Sequence, residues 1–318
     1  MTKKQIYRDS KAYTDRLLKE IRDQYDPIKV AIAHPVKENS ILAAQEAMEE
    51  TFIIPHLVGP EDKIRAAAER AGVDISGWDV HNTEHSHESA QVACNLACEG
   101  TVQAVMKGNL HSDELLIEVI KCRGLKTERR ISHVFAMDVK TYHKPFLMTD
   151  AAINIAPDLK AKSDIVQNAI NLWLALHDGD DLPKVALLAA VELVNPEMQA
   201  TIDAAALCKM AERGQIKDGI LDGPLAFDNA ISKEAASIKG IVSEVAGDPD
   251  ILVAPDLEAA NIMAKQMTFL SEAEAAGLVV GARVPVILTS RADSLRTRLL
   301  SCAIAVKYHA ARSKGVIK

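Results

Sequence analysis

A polar turn near the C-terminus carries the residue types best suited to chemistry. It separates the apolar run 284–288 from a stretch whose apolar residues recur every three or four positions, as in a helix. A buried strand that enters a helix through such a turn places backbone N–H groups where an anion can bind. Arg291 adds a guanidinium suited to phosphate, Ser290 a hydroxyl, and Asp293 a carboxylate that can act as a base. The alternative is that Asp293 or Ser294 only caps the helix.

Other polar turns also follow predicted strands. Lys107, Gly108 and Asn109 form one of them, and Gly108 would let the backbone approach a ligand closely. Asp222 and Asp256 lie in two more. In an open α/β sheet, ligands bind outside the carboxyl ends of the strands, so together these turns predict a binding cleft, although each alone could be ordinary turn chemistry.

The elements that must position these turns alternate between strand and helix patterns. This alternation predicts an α/β protein whose mainly parallel sheets carry helices on both faces. The segments 131–139 and 144–149 break the rhythm, because two strands joined by a short turn indicate an antiparallel hairpin. We therefore place a domain boundary just before residue 131.

Composition limits the classes of function. The chain has 318 residues, 48% of them hydrophobic and 25% charged, which is typical of a soluble globular protein. A formal net charge of −7 argues against a nucleic-acid partner. No apolar run is long enough to span a membrane, and no apolar segment follows the first lysines as in a signal peptide. The expected location is the cytoplasm, with small molecules as partners.

The five cysteines are scattered and odd in number, which predicts reduced thiols rather than a disulfide framework. A zinc site built from Cys94 and Cys98 with His81, His85 or His87 must be considered. The spacing matches no standard ligand pattern, and both cysteines fit the apolar stripe of a helix. We therefore expect no metal site.

Six segments in order resemble the phosphate acetyltransferase/phosphate butyryltransferase family. The most distinctive are DGPLAFDNA at 222–230, VAPDLEAAN at 253–261 and LTSRADS at 288–294. The other three lie at 106–108, 146–157 and 185–192. The resemblance runs from about residue 28 to residue 308, and the Ser-Arg-Ala-Asp turn is most similar to the butyryl branch.

The resemblance implies the fold of isocitrate and isopropylmalate dehydrogenases, with two α/β domains flanking an interdomain cleft. The C-terminal segment would return to the first domain, giving domains of 1–130 plus 278–318 and of 131–277. The implied reaction is acyl-CoA plus orthophosphate giving acyl phosphate plus CoA, with butyryl or acetyl as the acyl group. It would proceed in a ternary complex, without a metal or an acyl-enzyme. Coenzyme A would be a substrate, no cofactor would be tightly bound, and the protein would be a homodimer.

The resemblance also implies roles for individual residues. Ser290 matches the serine that stabilises developing negative charge, and Arg291 matches the arginine that binds phosphate. The acetyl branch has an aspartate as thiol base seven positions after that serine, where this chain has Thr297. Thr297 can still hydrogen-bond a ligand, and Asp293 is the nearest carboxylate that could replace the base.

An arginine that the acetyl branch carries shortly after its first-domain loop has no counterpart here. Lys107, Arg129 or Arg130 could supply that charge, although the two arginines could equally be solvated surface. We place Asp222 and Asp256 among the substrate-binding residues.

Two other classes of function stay open at this point. A NAD-dependent 2-hydroxy-acid dehydrogenase of the same fold would need acidic metal ligands, for which Asp222, Asp228 and Asp256 are available. A non-catalytic protein that binds CoA or acyl phosphate would need no catalytic turn. We favour the phosphate acyltransferase.

Overall fold

The computed structural model describes residues 10–289 and 293–317. Its helices are α1 (Ser10–Gln24), α2 (Glu38–Glu49), α3 (Glu61–Ala71), α4 (Ser86–Cys98), α5 (Ser112–Lys121), α6 (Leu159–Leu176), α7 (Gln199–Glu212), α8 (Phe227–Ile231), α9 (Lys233–Ile238), α10 (Leu257–Leu270) and α11 (Leu295–Ser313), with a 3-10 turn at Arg123–Leu125. Its strands are β1 (Ile28–Ala33), β2 (Ile53–Gly59), β3 (Asp79–Asn82), β4 (Ala104–Lys107), β5 (Ser132–Asp138), β6 (Phe146–Thr149), β7 (Lys184–Leu188), β8 (Ile220–Leu225), β9 (Ile251–Val253), β10 (Glu274–Val280) and β11 (Val286–Ile287).

The described residues divide into two compact units. The first unit consists of Asp15–Arg129 and Ala276–Lys314. The second consists of Arg130–Ala275, together with the terminal stretches 10–14 and 315–317. These are units of internal contact, and the domain limits taken from the sequence stay a prediction.

The first unit is a twisted sheet with the strand order β3-β2-β1-β4-β11-β10. The pairs from β3 to β11 are parallel, and β10 runs antiparallel to β11. β4 is buried along its whole length, and β1 is buried except at Lys29, as expected of apolar strands covered on both faces. Helix α3 begins with two acidic residues and ends at Gly72, whose φ of 69° suits the left-handed cap.

The path of the chain in the first unit reverses between β1 and β4. From β1 it moves outward through β2 to β3, and it then crosses back to β4 on the other side of β1. Because such crossovers are right-handed, α2 and α3 cover one face of the sheet and α4 covers the other. Parallel strands that lead away from each other leave a crevice at their carboxyl ends, where open α/β sheets bind ligands.

The second unit has the strand order β5-β6-β9-β7-β8. β5 and β6 are antiparallel and the remaining pairs are parallel, which confirms the predicted hairpin. Its apolar core gathers side chains from the strands and from the helices around them, among them Met148, Ala186, Leu252 and Met267. The predicted α/β class with mainly parallel sheets is therefore confirmed.

The prediction of reduced thiols is wrong for two of the five cysteines. Cys98 at the end of α4 and Cys122 just after α5 form a disulfide. α4 and α5 pack against each other, so their ends meet although the two cysteines are 24 positions apart. No described helix is long and apolar enough to cross a membrane.

Candidate active site

The crevice of the first unit is closed at its base by contacts between the loops that follow β1 and β4. The N–H groups of Gly108 and Asn109 donate to the carbonyl oxygens of Ala33 and His34, both at 2.9 Å. A Cβ on Gly108 would lie 2.4 Å from the oxygen of Ala33, so only glycine fits. The close approach at Gly108 is therefore to the neighbouring strand, and its predicted approach to a ligand stays a prediction.

Asn109 joins this loop to the start of α2. Its Oδ1 accepts hydrogen bonds from the N–H of Lys37 and from the hydroxyl of Ser40, both at 3.0 Å. Across 10–289 and 293–317 its Nδ2 meets no acceptor, so this amide can donate to a ligand. Lys107, the buried last residue of β4, donates from Nζ to the carbonyl of Leu110 at 3.4 Å, which holds its charge at the same loop.

His34 directly follows β1 and has a positive φ of 57°, which non-glycine residues rarely adopt. Its Nδ1 lies 3.0 Å from the hydroxyl of Ser89 on α4. Burial lowers the pKa of this imidazole below the usual value, and the charge of Lys63 lowers it further. The charge of Glu114 raises the pKa of His34 and that of His85 lowers it. The net effect is a lowered pKa, which keeps His34 neutral near pH 7.

The catalytic turn predicted from the sequence follows β11, which pairs in parallel with β4 through Ile287 and Met106. β11 therefore ends beside the end of β4, next to Lys107. Ser290 and Arg291 lie outside the described residues. Asp293, which is partly buried, lies within them.

Helix α11 is capped by Ser294. The Ser294 hydroxyl accepts a hydrogen bond from the N–H of Thr297 at 3.1 Å. It also lies 3.0 Å from the hydroxyl of Thr297. Of the two caps that the sequence allowed, Ser294 is the one formed, and Asp293 precedes the cap.

Two predicted binding residues of the second unit take part in local structure. Asp256 caps α10, because its Oδ1 accepts from the N–H of Ala259 at 2.8 Å. Asp222 lies within β8 and accepts from the N–H of Gly223 at 2.8 Å. Each carboxylate retains acceptor capacity, so their substrate-binding roles stay a prediction.

The two arginines proposed as replacement charges lie at the junction of the two units' sequences. Arg129 is partly buried, and its N–H donates to the hydroxyl of Thr127 at 3.2 Å. Arg130 is exposed, and its N–H donates to Asp164 at 3.1 Å. Because β5 is antiparallel to β6, Arg130 lies at the edge of the second unit where β6 ends.

Asp150, to which the sequence assigned no role, organises that edge. Its carboxylate accepts from the N–H groups of His133, Ala152, Ile153 and Asn154 at 3.1–3.2 Å, and from Nδ2 of Asn154 at 2.6 Å. Its burial and its many donors mark it as a fixed anion that holds the turn after β6. The signal in the sequence was the motif Thr149-Asp150 directly after a predicted strand.

The described residues do not favour a cysteine nucleophile or a metal site. Burial raises the pKa of the Cys94, Cys208 and Cys302 thiols to about 12, so none is a ready nucleophile. Within the part of the chain that the structure describes, no group of three or more His, Cys, Asp or Glu side chains is arranged to hold a metal ion.

Comparison with known proteins gives a consistent set of similarities. The family model "Phosphate acetyl/butaryl transferase" matches residues 83–306. The phosphate acetyltransferase of Rhizobium meliloti is 56% identical over 299 residues, which cover 94% of each chain. The phosphate butyryltransferase of Clostridium beijerinckii is 40% identical over 301 residues, covering 94% of this chain and 98% of the relative. The crystal structure of a branched-chain phosphotransacylase from Enterococcus faecalis V583 superposes with a TM-score of 0.77 at 30% identity, covering 89% of this chain and 99% of that one.

Proposed function

The chain belongs to the family of phosphate acetyl/butaryl transferases and is an acyltransferase, and we propose that it moves a short acyl group between coenzyme A and orthophosphate in a ternary complex. Of the three classes of function that the sequence left open, family membership selects this one. The observation that carries the proposal is the reversal of the chain path between β1 and β4, the position at which open α/β sheets bind ligands, with β11 ending beside Lys107.

In the proposed reaction a phosphate oxygen attacks the thioester carbonyl carbon, and the carbon–sulfur bond then breaks. The carbonyl oxygen becomes negatively charged on the way, so fixed donors and cations supply much of the rate. Ser290 donates to that oxygen, and Arg291 binds the phosphate in a bidentate manner. Coenzyme A serves as a substrate, and no tightly bound cofactor takes part.

Asp293 is proposed as the proton carrier at sulfur. When CoA and acyl phosphate react to form acyl-CoA, the Asp293 carboxylate takes the proton of the CoA thiol, because only the thiolate is a good nucleophile. The position of Asp293 supports this role, since Ser294 rather than Asp293 caps α11. Thr297 lies one turn into the helix and is proposed to hydrogen-bond a substrate.

The proposed binding residues of the first unit are Lys107, Gly108, Asn109 and Arg129. The Lys107 charge and the Asn109 amide are supported as ligand contacts by their place at the end of β4. Arg130, Asp222 and Asp256 are the proposed contributions of the second unit. The carboxylates of Asp222 and Asp256 also accept local hydrogen bonds, and the Asp256 substitutions described below test whether that residue binds substrate as well.

Acetyl-CoA is proposed as the best substrate, because the 56% identical relative is named for acetyl transfer. Butyryl-CoA is the second candidate, favoured by the Ser-Arg-Ala-Asp turn and by the 40% identical relative. We also propose a homodimer, supported by the exposed apolar side chains of Ile262, Phe269 and Leu270 on α10. A cytoplasmic location is the remaining proposal.

The test is thiol release from acetyl-, propionyl- and butyryl-CoA with and without orthophosphate. We expect release that depends on phosphate and is fastest with acetyl-CoA. Formation of acyl phosphate, trapped with hydroxylamine, must match thiol release mole for mole. Absence of phosphate-dependent release with all three thioesters would contradict the proposed function. Light scattering on the same sample measures the oligomeric state.

A further inference from the structure

The proposed reaction moves a proton as well as an acyl group. Near neutral pH, hydrogen phosphate carries a proton that acyl phosphate has lost, and the released CoA carries a proton on sulfur that the thioester lacked. The site therefore needs a proton acceptor at phosphate in addition to the carrier at sulfur. Asp293 is assigned to sulfur, which leaves the phosphate proton without a carrier.

We propose that His34, through Nε2, takes the proton from hydrogen phosphate when the phosphate oxygen attacks the thioester. This inference rests on the proposed function. His34 follows β1 at the crevice, and the loop after β4 is hydrogen-bonded to its carbonyl through Asn109. β11, which leads into the turn with Arg291, is two strands from β1, or about 10 Å at the usual strand spacing.

The hydrogen bonds around Ser89 select the tautomer of His34. The Ser89 hydroxyl is fully buried and donates its one hydrogen to the carbonyl of His85 at 2.9 Å. It therefore accepts from its two other neighbours, the hydroxyl of Thr83 at 2.8 Å and Nδ1 of His34 at 3.0 Å. With the hydrogen of neutral His34 on Nδ1, the lone pair lies on Nε2.

Across the described residues, Ser89 is the only hydrogen-bond partner of the His34 side chain, and His34 is only partly buried. Nε2 is therefore available to an incoming ligand. A base held by one nitrogen and open at the other has the arrangement that general-base histidines use, in which a third group orients the imidazole.

The surroundings of His34 favour an anion rather than a neutral thiol. The groups that face it are Lys63 on α3, Glu114 on α5 and His85 just before α4. α3, α4 and α5 each follow a parallel strand, so their N-termini lie at this same edge and favour negative charge. Glu114 is the one acidic group, and it is engaged by the hydroxyl of Ser86 at 2.5 Å.

The protons balance as follows. In acyl-CoA phosphorolysis the oxygen–carbon bond forms, the carbon–sulfur bond breaks, and the phosphate proton passes to Nε2. The departing sulfur takes its proton from Asp293, and solvent returns the proton of the imidazolium to that carboxylate. In the reverse direction the His34 imidazolium gives its proton to the leaving phosphate oxygen. Phosphate then leaves as hydrogen phosphate and not in its fully deprotonated form.

The test compares His34→Asn, Ser89→Ala and His87→Asn with the wild type. Asparagine tolerates a positive φ better than other replacements and cannot titrate, so His34→Asn keeps the loop but removes the base. Ser89 is a positioning residue, because it acts through His34. His87, whose side chain is 72% exposed, is the matched control for loss of a histidine at the same edge.

For wild type at saturating phosphate and acyl-CoA, kcat of phosphorolysis should fall as the pH drops through the His34 pKa, since protonated His34 accepts no proton. His34→Asn should lower kcat about 100-fold and abolish this acid limb. Ser89→Ala should lower kcat about tenfold and shift the limb, as expected when an orienting partner is lost. His87→Asn should match the wild type. Melting curves identify a variant that fails to fold, and Ser89→Ala then decides.

In the reverse direction the sign is opposite, and kcat with acyl phosphate and CoA should fall as the pH rises, in wild type but not in His34→Asn. A wild-type kcat with an unchanged acid limb in a folded His34→Asn overturns the inference. The inference is also overturned if the reverse-direction kcat of the wild type falls at low pH and His34→Asn removes that fall, because His34 would then be taking the thiol proton. A wild type without phosphate-dependent thiol release would instead retire the proposed function.

Discussion

In the second unit, the Asp150 carboxylate accepts five hydrogen bonds from the protein, four of them from backbone N–H groups. In the first unit, His34 has one nitrogen bonded to Ser89 and the other open to a ligand. Both side chains directly follow a strand at the edge where α/β sheets bind ligands. The difference shows that a polar side chain at a strand end has a role in chemistry only if the turn leaves part of it unsatisfied.

The predicted site residues differ in whether their carboxylate takes part in a helix cap or a local turn. Asp256 caps α10, and Asp222 accepts from the N–H of the next residue. Asp293 precedes a helix that Ser294 already caps. We therefore expect substitution of Asp293 to act mainly on rate and removal of the Asp256 carboxylate to act mainly on stability.

The largest expected effect is on Asp293. Asp293→Asn should lower kcat about 100-fold, because an amide cannot carry the thiol proton, while apparent phosphate affinity changes little. Thr297→Val should lower kcat much less, since it removes only a hydroxyl. Steady-state kinetics on both variants measure the difference.

The cap on α11 sharpens this test. Because Ser294 provides the cap of α11, Asp293→Asn removes no helix cap, and loss of the cap cannot explain its loss of rate. Ser294→Ala, by contrast, should cost about 1 kcal/mol of stability. A fully active Asp293→Asn would show that the proton leaves sulfur by another route and would weaken the contrast between the units.

Gly108→Ala tests the base of the crevice. The new Cβ would lie 2.4 Å from the carbonyl oxygen of Ala33, so β1 and β4 must move apart, and we expect a loss of about 2 kcal/mol in the free energy of unfolding. Chemical denaturation measures it. Gly77→Ala is the control, because its Cβ would meet no atom within 4 Å. Equal stability of the two variants would mean that the crevice is not held by the Gly108 contact.

Arg291→Lys should lower kcat/KM for phosphate about tenfold, or about 1.4 kcal/mol, because lysine keeps the charge but loses the bidentate contact. We expect Arg291→Lys to change the kinetic constants for phosphate and to leave the stability of the protein unchanged. Initial rates over a range of phosphate and CoA concentrations measure both substrates. Unchanged constants for both substrates would remove Arg291 from the proposed phosphate site.

Substitution of Asp256 should have the smallest effect, and that effect should be on stability and not on rate. Asp256→Ala should cost about 1 kcal/mol of stability through loss of the α10 cap, whereas Asp256→Asn should keep the cap and the stability. Neither should change kcat. A several-fold rise in KM for either substrate in Asp256→Asn would support the proposed binding role, and an unchanged KM would remove Asp256 from the proposed binding residues.

The sequence by itself determined the fold class and the family. Apolar runs bounded by polar turns predict buried parallel strands, and these form as β1, β4 and β9. The order of strands and helices and the hairpin at β5 and β6 follow from local patterns. Six ordered motifs were sufficient to identify the family, because each is a short run of specific residues in a fixed order.

Only the tertiary structure decided which strand ends meet. β1 and β4 are neighbours although about seventy positions separate them, since a parallel sheet needs crossover helices and their path is not written in any local pattern. That neighbourhood brings Gly108 against His34 and makes a histidine with no sequence motif a candidate base. It also pairs Cys98 with Cys122.

The choice of cap and of hydrogen-bond partner was likewise tertiary. Ser294 and Asp293 are both good caps, and the choice depends on where α11 begins to within one residue, which packing of the helix fixes. The Asp150 carboxylate is satisfied because N–H groups of the turn after β6 donate to it, and because the adjacent strand β5 supplies one more donor. Residue type states what a side chain can do, and the surrounding fold determines whether any of that capacity is left for a ligand.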